Sequence, residues 1–361
     1  MAKRIRRRST KRNQRRLSKK RLSKRLTKRR LSKRRLSKRR LSKRRHKRGG
    51  KPGGESKQDY ISKSPVEIKE KIADQLSLGD LRYFRQTSRD ARDTTQRIYD
   101  RKRMEAILEK LGITEGTTEV DLEDNEAVND GTIHEILQAL TLLPKLQSLD
   151  LSRNQLSVLP SSLGNLPGLQ LLYLNHNALT TLPSSLGKLP NLQELVLDNN
   201  QLKALPSSLG ELPNLQMLSL SHNALKALPE TLGNLPSLQI LVLDNNALTA
   251  LPDSLGNLPN LLALDLDNNA LTALPSSLGN LPNLQILDLA NNALTALPDS
   301  LGELPNLLAL DLGNNALTEL PESIGNLSNL QELHLVGNPI KLTKLPEILD
   351  NLTNLQQFEM G

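Results

Sequence analysis

Aspartate recurs at a fixed interval in the C-terminal half of the chain. Asp265, Asp288 and Asp311 are separated by 23 residues each. If neighbouring parallel strands carry these side chains, the carboxylates form a row with a spacing of about 4.8 Å. Like charges placed side by side across strands are destabilising unless a cation or a basic partner neutralises them. The row therefore predicts electrostatic binding of a basic peptide segment. A solvated polar face copied by repeat duplication is the alternative, and a metal site is not expected.

The sequence contains none of the residue combinations that are typical of enzymes. It has no cysteine, which excludes cysteine-dependent ubiquitin ligases, and no G-x-x-x-x-G-K-[ST] loop for a nucleoside triphosphate. The five histidines, at positions 46, 134, 176, 222 and 334, show no spacing typical of metal ligands. We therefore predict a protein that is not an enzyme and that needs neither a cofactor nor a metal ion.

The aspartates belong to a longer repeat of 23 residues, whose frame is seen at Leu192–Leu202 as L-x-x-L-x-L-x-x-N-x-L. The pattern resembles intracellular leucine-rich repeat proteins. That resemblance implies an α/β solenoid over residues 141–361, with a parallel concave sheet and short helical or 3₁₀ convex segments. Its leucines should point inward, and its asparagine should hydrogen-bond backbone groups within the turn. This asparagine recurs at Asn154, Asn177, Asn200, Asn223, Asn246, Asn269, Asn292, Asn315 and Asn338.

Residues that point outward from the strands, or lie just beyond them, are the candidates for binding a partner protein on the concave face. The predicted binding residues are Asp150, Tyr173, Glu194, Val196, Asp198, Met217, Asp244, Asp265, Asp267, Asp288, Asp311 and His334. The basic N-terminal tail of the same chain is one candidate ligand for this surface.

Residues 99–140 read as a helical linker followed by an irregular first repeat. Val120–Asn125 carries the strand half of that repeat, and the apolar residues of Ile133–Leu140 predict a helix. At the other end of the solenoid, Leu352–Met360 follows the strand frame of a further coil.

The N-terminal tail, residues 1–54, is strongly basic and ends in a glycine-rich hinge. Residues 1–51 hold 29 of the 49 Lys and Arg residues and no acid, which leaves 20 basic and 38 acidic residues for the remainder. Like charges at this density predict a disordered tail. Three roles stay open for it: a targeting signal, phosphate binding to nucleic acid through residues 3–51, and attraction to anionic lipid. It contains no aromatic residue that could stack on a base.

The tail repeats a near-pentamer, R-R-L-S-K, which resembles the sites of basophilic kinases. Phosphorylation would reduce the positive charge of the tail, because each phosphate adds about −1.5 to −2. The candidate sites are Ser18, Ser23, Thr27, Ser32, Ser37 and Ser42.

Residues 62–98 resemble an F-box, the motif that binds the Skp-type adaptor of cullin–RING ubiquitin ligases and that commonly precedes leucine-rich repeats. The segment departs from the usual F-box at Ser64, Thr87 and Ala91, where Leu, Val and a nearby Trp are common. An ordinary helical N-terminal cap of the solenoid is the alternative interpretation. The residues that carry the resemblance, and that it implies bind the adaptor, are Pro65, Glu67, Ile68, Ile72, Leu76, Leu81 and Phe84.

These patterns together predict a protein-binding adaptor, with F-box-type substrate reception for a cullin–RING ubiquitin ligase as the favoured function. The alternative is a structural protein associated with nucleic acid, in chromatin or in the particle of a large DNA virus. The absence of cysteine predicts an intracellular location, in the nucleus or cytoplasm, and no apolar run is long enough to span a membrane.

Overall fold

The computed structural model describes residues 92–341 and 345–360. The predicted tail at residues 1–54, its phosphorylation candidates and the adaptor-binding residues from Pro65 to Phe84 lie outside the described residues.

Within the described residues, the chain winds through successive coils, each with one short strand and one convex segment. The first coils also use two α-helices, and the last uses a third. The α-helices are α1 Arg92–Lys110, α2 Ile133–Leu140 and α3 Leu345–Asn351. The strands are β1 Glu119–Asp121, β2 Ser148–Asp150, β3 Leu171–Tyr173, β4 Glu194–Val196, β5 Met217–Ser219, β6 Ile240–Val242, β7 Ala263–Asp265, β8 Ile286–Asp288, β9 Ala309–Asp311, β10 Glu332–His334 and β11 Gln357–Glu359. Eight 3₁₀ helices lie between β2 and β10: Ser161–Asn165, Ser184–Lys188, Ser207–Glu211, Glu230–Asn234, Asp253–Asn257, Ser276–Asn280, Asp299–Glu303 and Glu322–Asn326.

The strands form one parallel sheet whose order is the order of the chain, from β1 to β11. The 23-residue period sets the register, so that Leu264 stands opposite Leu287 and Asp265 opposite Asp288. Equivalent residues of consecutive coils therefore form columns across the sheet. The predicted α/β solenoid with a parallel sheet and 3₁₀ convex segments is confirmed.

Leucine fills the interior of every coil. Of the inward positions in the coil that starts at Leu192, Leu195, Leu197 and Leu209 are completely buried and Leu205 is 8% exposed. A coil cannot bury these side chains alone, because each leucine stacks on its equivalents in the coils before and after it. Stacking of neighbouring coils thus supplies the continuous core that one coil lacks.

The recurring asparagine joins consecutive coils through its side chain, as Asn200 shows. Its Nδ2 donates to the carbonyl oxygens of Leu197, at 2.9 Å, and of Leu174 in the preceding coil, at 3.0 Å. Its Oδ1 accepts the backbone N–H of Leu179, also in the preceding coil, at 3.0 Å. The amide therefore satisfies backbone groups that the irregular turn leaves unpaired. The predicted structural role of this asparagine is confirmed.

The convex side is built from proline, 3₁₀ helix and glycine. Pro206, with φ of −69° and ψ of 143°, leads the chain in extended conformation into the 3₁₀ helix Ser207–Glu211. Proline has no N–H to contribute to a helix, and 3₁₀ segments are short by nature, so no long helix forms here. Narrow convex segments allow the coils to stack directly on one another.

The first described coils are irregular, with α-helices where the later coils have 3₁₀ helices. Helix α2 coincides with the predicted apolar helix, and its Ile133 and Leu137 are buried. Helix α1 packs against α2 and contributes the buried Leu108 to the core, while Arg103 pairs with Glu135 across the two helices. Because α1 runs from Arg92 to Lys110, it passes through position 98, where the sequence places the end of the F-box-like segment. That domain boundary stays a prediction.

The last described coil contains α3 in place of a 3₁₀ helix and ends in β11, which pairs with β10. Phe358 stands in register with the buried Leu333 but is 38% exposed.

Candidate protein-binding face

The outward side chains of the strands form two columns on the concave face, defined as the side of the sheet away from the leucine core. Each strand has three residues, of which the middle one points inward and the first and third point outward. The first-position column runs through Ser148, Leu171, Glu194, Met217, Ile240, Ala263, Ile286, Ala309 and Glu332. The third-position column runs through Asp150, Tyr173, Val196, Ser219, Val242, Asp265, Asp288, Asp311 and His334.

The acidic row lies in the third-position column of β7, β8 and β9. Asp265 is the register partner of Asp288, and Asp288 is the register partner of Asp311. Each of the three uses Oδ1 to accept the backbone N–H two residues later, at 3.1, 3.2 and 3.0 Å respectively. The aspartates therefore fix the turn that follows each strand. Sequence reasoning assigned them to ligand binding and missed this local role, although aspartate two residues before a turn is a known signal for it.

The surroundings of Asp265 favour its neutral form. Burial raises the pKa of Asp265 to about 7, and the neighbouring charge of Asp288 adds to this, with smaller contributions from Asp244 and Asp267. The N–H of Asp267, which donates to the carboxylate, acts in the opposite direction. A basic side chain placed over this carboxylate would favour the ionised form, because an opposite charge stabilises it.

Asp198, which follows β4, is held by the coil after it. The Ser219 hydroxyl donates to its Oδ1 at 2.6 Å, and the Ser221 N–H donates to the same atom at 3.0 Å. Burial raises the pKa of Asp198 and the charge of Asp244 raises it further, against the lowering effect of these two hydrogen bonds and of His176. The Ser221 hydroxyl in turn donates to Asp244, so that one chain of hydrogen bonds links three coils.

Turn residues after the strands adopt left-handed backbone conformations. Asn245, Asn268 and Asn291 have φ between 54° and 56°, a region that asparagine tolerates better than most residues do. Asn245 donates to Asp244 at 2.7 Å, Asn268 to Asp267 at 2.8 Å, and Asn291 to Asp267 at 2.7 Å. The predicted binding residues Asp244 and Asp267 thus belong to an amide–carboxylate network that runs along the C-terminal ends of the strands. Sequence reasoning did not identify the asparagines of this network.

At the N-terminal end of the face, polar residues are paired with one another. The Tyr173 hydroxyl donates to Glu194 Oε2 at 3.2 Å, between β3 and β4. Val196 and Met217 are half-buried beside them. Asp150 differs from the other predicted binding residues, because it is only 4% exposed and accepts the N–H of Ser152 at 3.0 Å.

Three carboxylates converge at the edge formed by β1 and β2. One oxygen each of Asp121, Glu123 and Asp150 lies within 4.8 Å of the others. Glu123 also forms an ion pair with Arg153 at 3.4 Å. Sequence reasoning did not group these residues, since 29 positions separate Asp121 from Asp150. The Glu123 N–H donates to Asp121 and the Ser152 N–H donates to Asp150, so all three carboxylates have partners within the chain, and we assign no metal site.

At the C-terminal end, two predicted binding residues meet. His334 Nδ1 lies 3.1 Å from Asp311 Oδ2, and both side chains are mostly buried.

The most exposed apolar side chains of the face belong to the first-position column. Ile286 is 49% exposed and Ile240 is 37% exposed, whereas Ala263 between them is small and half-buried. The sequence places both isoleucines outward, but we did not predict them as binding residues. Large exposed apolar side chains on a soluble protein commonly mark an interaction surface when they cluster. An apolar column over β6–β9 therefore lies beside an acidic row over β7–β9.

Two sequence profiles match the chain. The profile for a leucine-rich repeat region covers residues 253–361, and the profile for the leucine rich repeat covers residues 130–179, 144–202 and 190–248. The solved structure of a leucine-rich repeat protein of Leptospira interrogans is similar, with 34% identity and a TM-score of 0.52 over 68% of this chain and 73% of that one. The chain belongs to the leucine-rich repeat family. Solenoids of this family typically bind other proteins, and the fold suggests that role for this one.

Two receptor structures are also similar to this leucine-rich repeat protein. One is the leucine-rich repeat ectodomain of the plant membrane receptor kinase GASSHO1/SCHENGEN3 from Arabidopsis thaliana, solved in complex with Casparian strip integrity factor 2. It is 33% identical, with a TM-score of 0.55 over 69% of this chain and 33% of that one. The other is a TDR receptor, 26% identical, with a TM-score of 0.58 over 71% of this chain and 49% of that one. The chain thus spans about a third and about half of these two proteins.

A comparison with curated protein sequences gives no match. In the part of the chain that the structure describes, no helix is both long enough and apolar enough to cross a membrane.

Proposed function

We propose that this leucine-rich repeat protein is a non-enzymatic adaptor that serves as the substrate receptor of a cullin–RING ubiquitin ligase. In this proposal, residues 62–98 bind a Skp-type adaptor and the concave face holds the target protein. The observation that supports target binding is the concave face itself, with exposed Ile240 and Ile286 beside the row of Asp265, Asp288 and Asp311. The resemblance of residues 62–98 to an F-box, followed by leucine-rich repeats, supports the link to the ligase.

Co-purification of the full-length chain with an Skp-type adaptor tests the first half of the proposal. Replacing Leu81 and Phe84 by alanine should abolish adaptor retention, because both are apolar residues of the F-box-like pattern. The substitutions Ser64→Leu and Ala91→Trp, which bring the segment closer to the usual F-box, should increase retention. Failure of the native chain to retain the adaptor, with no gain from these two substitutions, would rule out the ligase assignment.

Variants of the concave face test the second half. Tyr173→Ala combined with Met217→Ala removes outward side chains from β3 and β5 without touching the leucine core. We expect this variant to retain the adaptor but to lose target proteins that co-purify with the native chain. A target that stays bound to this variant and to variants of β6–β9 would place target binding away from the concave face.

The alternative function is structural, in association with nucleic acid. It is favoured by one observation, the 29 basic residues of residues 1–51. Lys and Arg bind backbone phosphates by releasing counterions, so the affinity should fall steeply with salt. If the full-length chain binds duplex DNA in this way, deletion of residues 1–51 abolishes the binding, and no Skp-type adaptor is retained, the structural function replaces the ligase function.

A further inference from the structure

We propose that the concave face over β6–β9 binds a basic amphipathic α-helix of a partner protein. The apolar side of that helix would lie on the column of Ile240, Ala263, Ile286 and Ala309, and its Lys or Arg residues would lie over Asp265, Asp288 and Asp311. This inference rests on the protein-binding role proposed above and specifies the partner's chemistry.

The apolar column alternates large and small side chains across four consecutive strands. Ile240 and Ile286 are 37% and 49% exposed, and Ala263 and Ala309 occupy the equivalent positions of β7 and β9. The isoleucines are two strand spacings apart, which corresponds to about 9.6 Å at the usual spacing of about 4.8 Å. The alanine positions therefore leave recesses beside the two isoleucines that can receive side chains of a partner.

The acidic row runs parallel to this column, two residues further along each strand. On β7, Ala263 is in the apolar column and Asp265 is in the acidic row; β8 repeats the arrangement with Ile286 and Asp288. Outward residues of one strand lie roughly 6.6 Å apart. A single element that lies along the solenoid axis can therefore contact both columns.

The spacing of the coils matches a helix better than an extended chain. One helical turn advances 5.4 Å, which differs by about 0.6 Å from the strand spacing of about 4.8 Å. Residues on one side of an extended chain repeat every 6.6 Å or so, which differs from that spacing by about 1.8 Å. Over the two intervals from Asp265 to Asp311, a helix falls out of step by about 1.2 Å and an extended chain by about 3.6 Å. A helix can therefore place one basic residue per turn over one aspartate per coil.

The charge of the surrounding sequence favours a cationic partner. From Ala227 to Ile340 the sequence contains no Lys or Arg, whereas it contains twelve Asp and Glu residues. The coils that carry the exposed isoleucines therefore present no basic side chain that would repel a partner rich in Lys and Arg. A basic residue over the row would also relieve the repulsion between Asp265 and Asp288.

Fluorescence anisotropy with the full-length chain and two labelled peptides tests the proposal. The first peptide, of about five helical turns, has leucine on one face and lysine on the adjacent positions. The second has the same composition, but leucine and lysine alternate, so that it is amphipathic only when extended. We expect the first peptide to bind about tenfold or more tightly than the second, a difference of about 1.4 kcal/mol.

Matched variants locate the binding. Asp265→Asn with Asp288→Asn should weaken binding of the helical peptide about tenfold, because the carboxylates that face its basic residues are lost. Ile286→Ser should weaken binding about fivefold, because an apolar contact is lost. The control is Asp253→Asn with Asp299→Asn, which replaces the same number of aspartates at exposed positions on the convex side. We expect that control to bind as the native chain does.

Three results would overturn the inference: equal binding of the two peptides, equal weakening by the convex control, or no weakening by Ile286→Ser. If target proteins instead depend on Tyr173 and Met217 and are insensitive to Asp265→Asn with Asp288→Asn, the proposed protein-binding function stands and this inference fails.

Discussion

A Cβ atom on Gly187 would lie 2.1 Å from the carbonyl oxygen of Ser208 in the next coil. Real side chains do not approach backbone oxygen this closely, so the glycine is required by the distance between the coils. The same relation recurs at Gly210 and Gly233, where the next coil's backbone oxygen would lie 2.0 Å away in each case. Glycine at this position of the 3₁₀ helix therefore sets how tightly the convex side packs.

Replacing this glycine should separate two coils. We expect Gly187→Ala to lower the free energy of unfolding by about 2 kcal/mol, as overpacking of a well-packed interior does. Gly116→Ala is the matched control, because no atom lies within 4 Å of a Cβ placed there. Thermal unfolding followed by circular dichroism measures both variants. An equal midpoint for the two variants would show that the coils can move apart without loss.

The side chain of the recurring asparagine should be irreplaceable by an apolar residue of similar size. Asn200→Leu removes the hydrogen bonds to Leu174, Leu179 and Leu197. It leaves the buried Leu179 N–H unpaired, whereas the two carbonyl oxygens each keep one donor, from Asn177 and Asn223. We expect a loss of about 2–4 kcal/mol, since an unpaired buried group costs about 1–3 kcal/mol and each lost hydrogen bond about 1 kcal/mol. Asn214→Ala, which removes one exposed bond to the Pro190 carbonyl, should have a much smaller effect. Urea unfolding of both variants compares the two positions directly.

Two serines at equivalent convex positions of consecutive coils, Ser277 and Ser300, should respond differently to replacement by alanine. The Ser300 hydroxyl donates to the Ser276 carbonyl at 2.7 Å, whereas the buried Ser277 hydroxyl has no hydrogen-bond partner among the described residues. Ser300→Ala should therefore lower stability by about 1 kcal/mol, and Ser277→Ala should be neutral or slightly stabilising. Calorimetry on the two single variants checks this. Equal losses would mean that Ser277 also donates to the preceding coil in solution.

Stability should depend on the protonation of Asp265. Its pKa of about 7 in the folded chain lies above its ordinary value of 3.8. Between these two pH values the carboxyl of Asp265 is protonated in the folded state and ionised in the unfolded state. The free energy of unfolding therefore falls as the pH rises from about 4 to about 7. Asp265→Asn removes this titration while keeping an oxygen for the Asp267 N–H. The variant should match the native chain near pH 4 and exceed it above pH 7 by about 1–3 kcal/mol.

Thermal melting at pH 4.5, 6 and 8 measures this difference, with the exposed convex variant Asp253→Asn as the control. The opposite trend, in which the advantage of Asp265→Asn shrinks as the pH rises, would contradict the raised pKa.

The sequence predicts the parts of the fold that depend on positions within one repeat. The repeat frame and its resemblance to leucine-rich repeats place leucines such as Leu195 and Leu197 in the core and Asn200 in the turn. The apolar pattern of Ile133–Leu140 identifies a helix. Each of these follows from a periodic pattern of residue types, which local geometry converts into an inward or outward direction.

Features that depend on contacts between coils could not be predicted in the same way. The close approach of Gly187 to Ser208 spans 21 residues, so no pattern within one repeat indicates it. The turn-forming role of Asp265 was hidden because the same carboxylate also suits ligand binding. Exposure of Ile286 depends on the size of its neighbours Ala263 and Ala309 across the sheet. Identification of the proposed binding site at β6–β9 therefore requires the positions of side chains from neighbouring strands.

The constant 23-residue register from β2 to β10 has a consequence for how the concave face can change during evolution. Loss or gain of one whole repeat in the gene would leave every leucine and every asparagine with an equivalent neighbour. The same event would bring different outward residues together: removal of the β7 coil, for instance, would place Ile286 directly beside Ile240. Unequal crossover can therefore change the ligand preference of the concave face without any substitution in the leucine core.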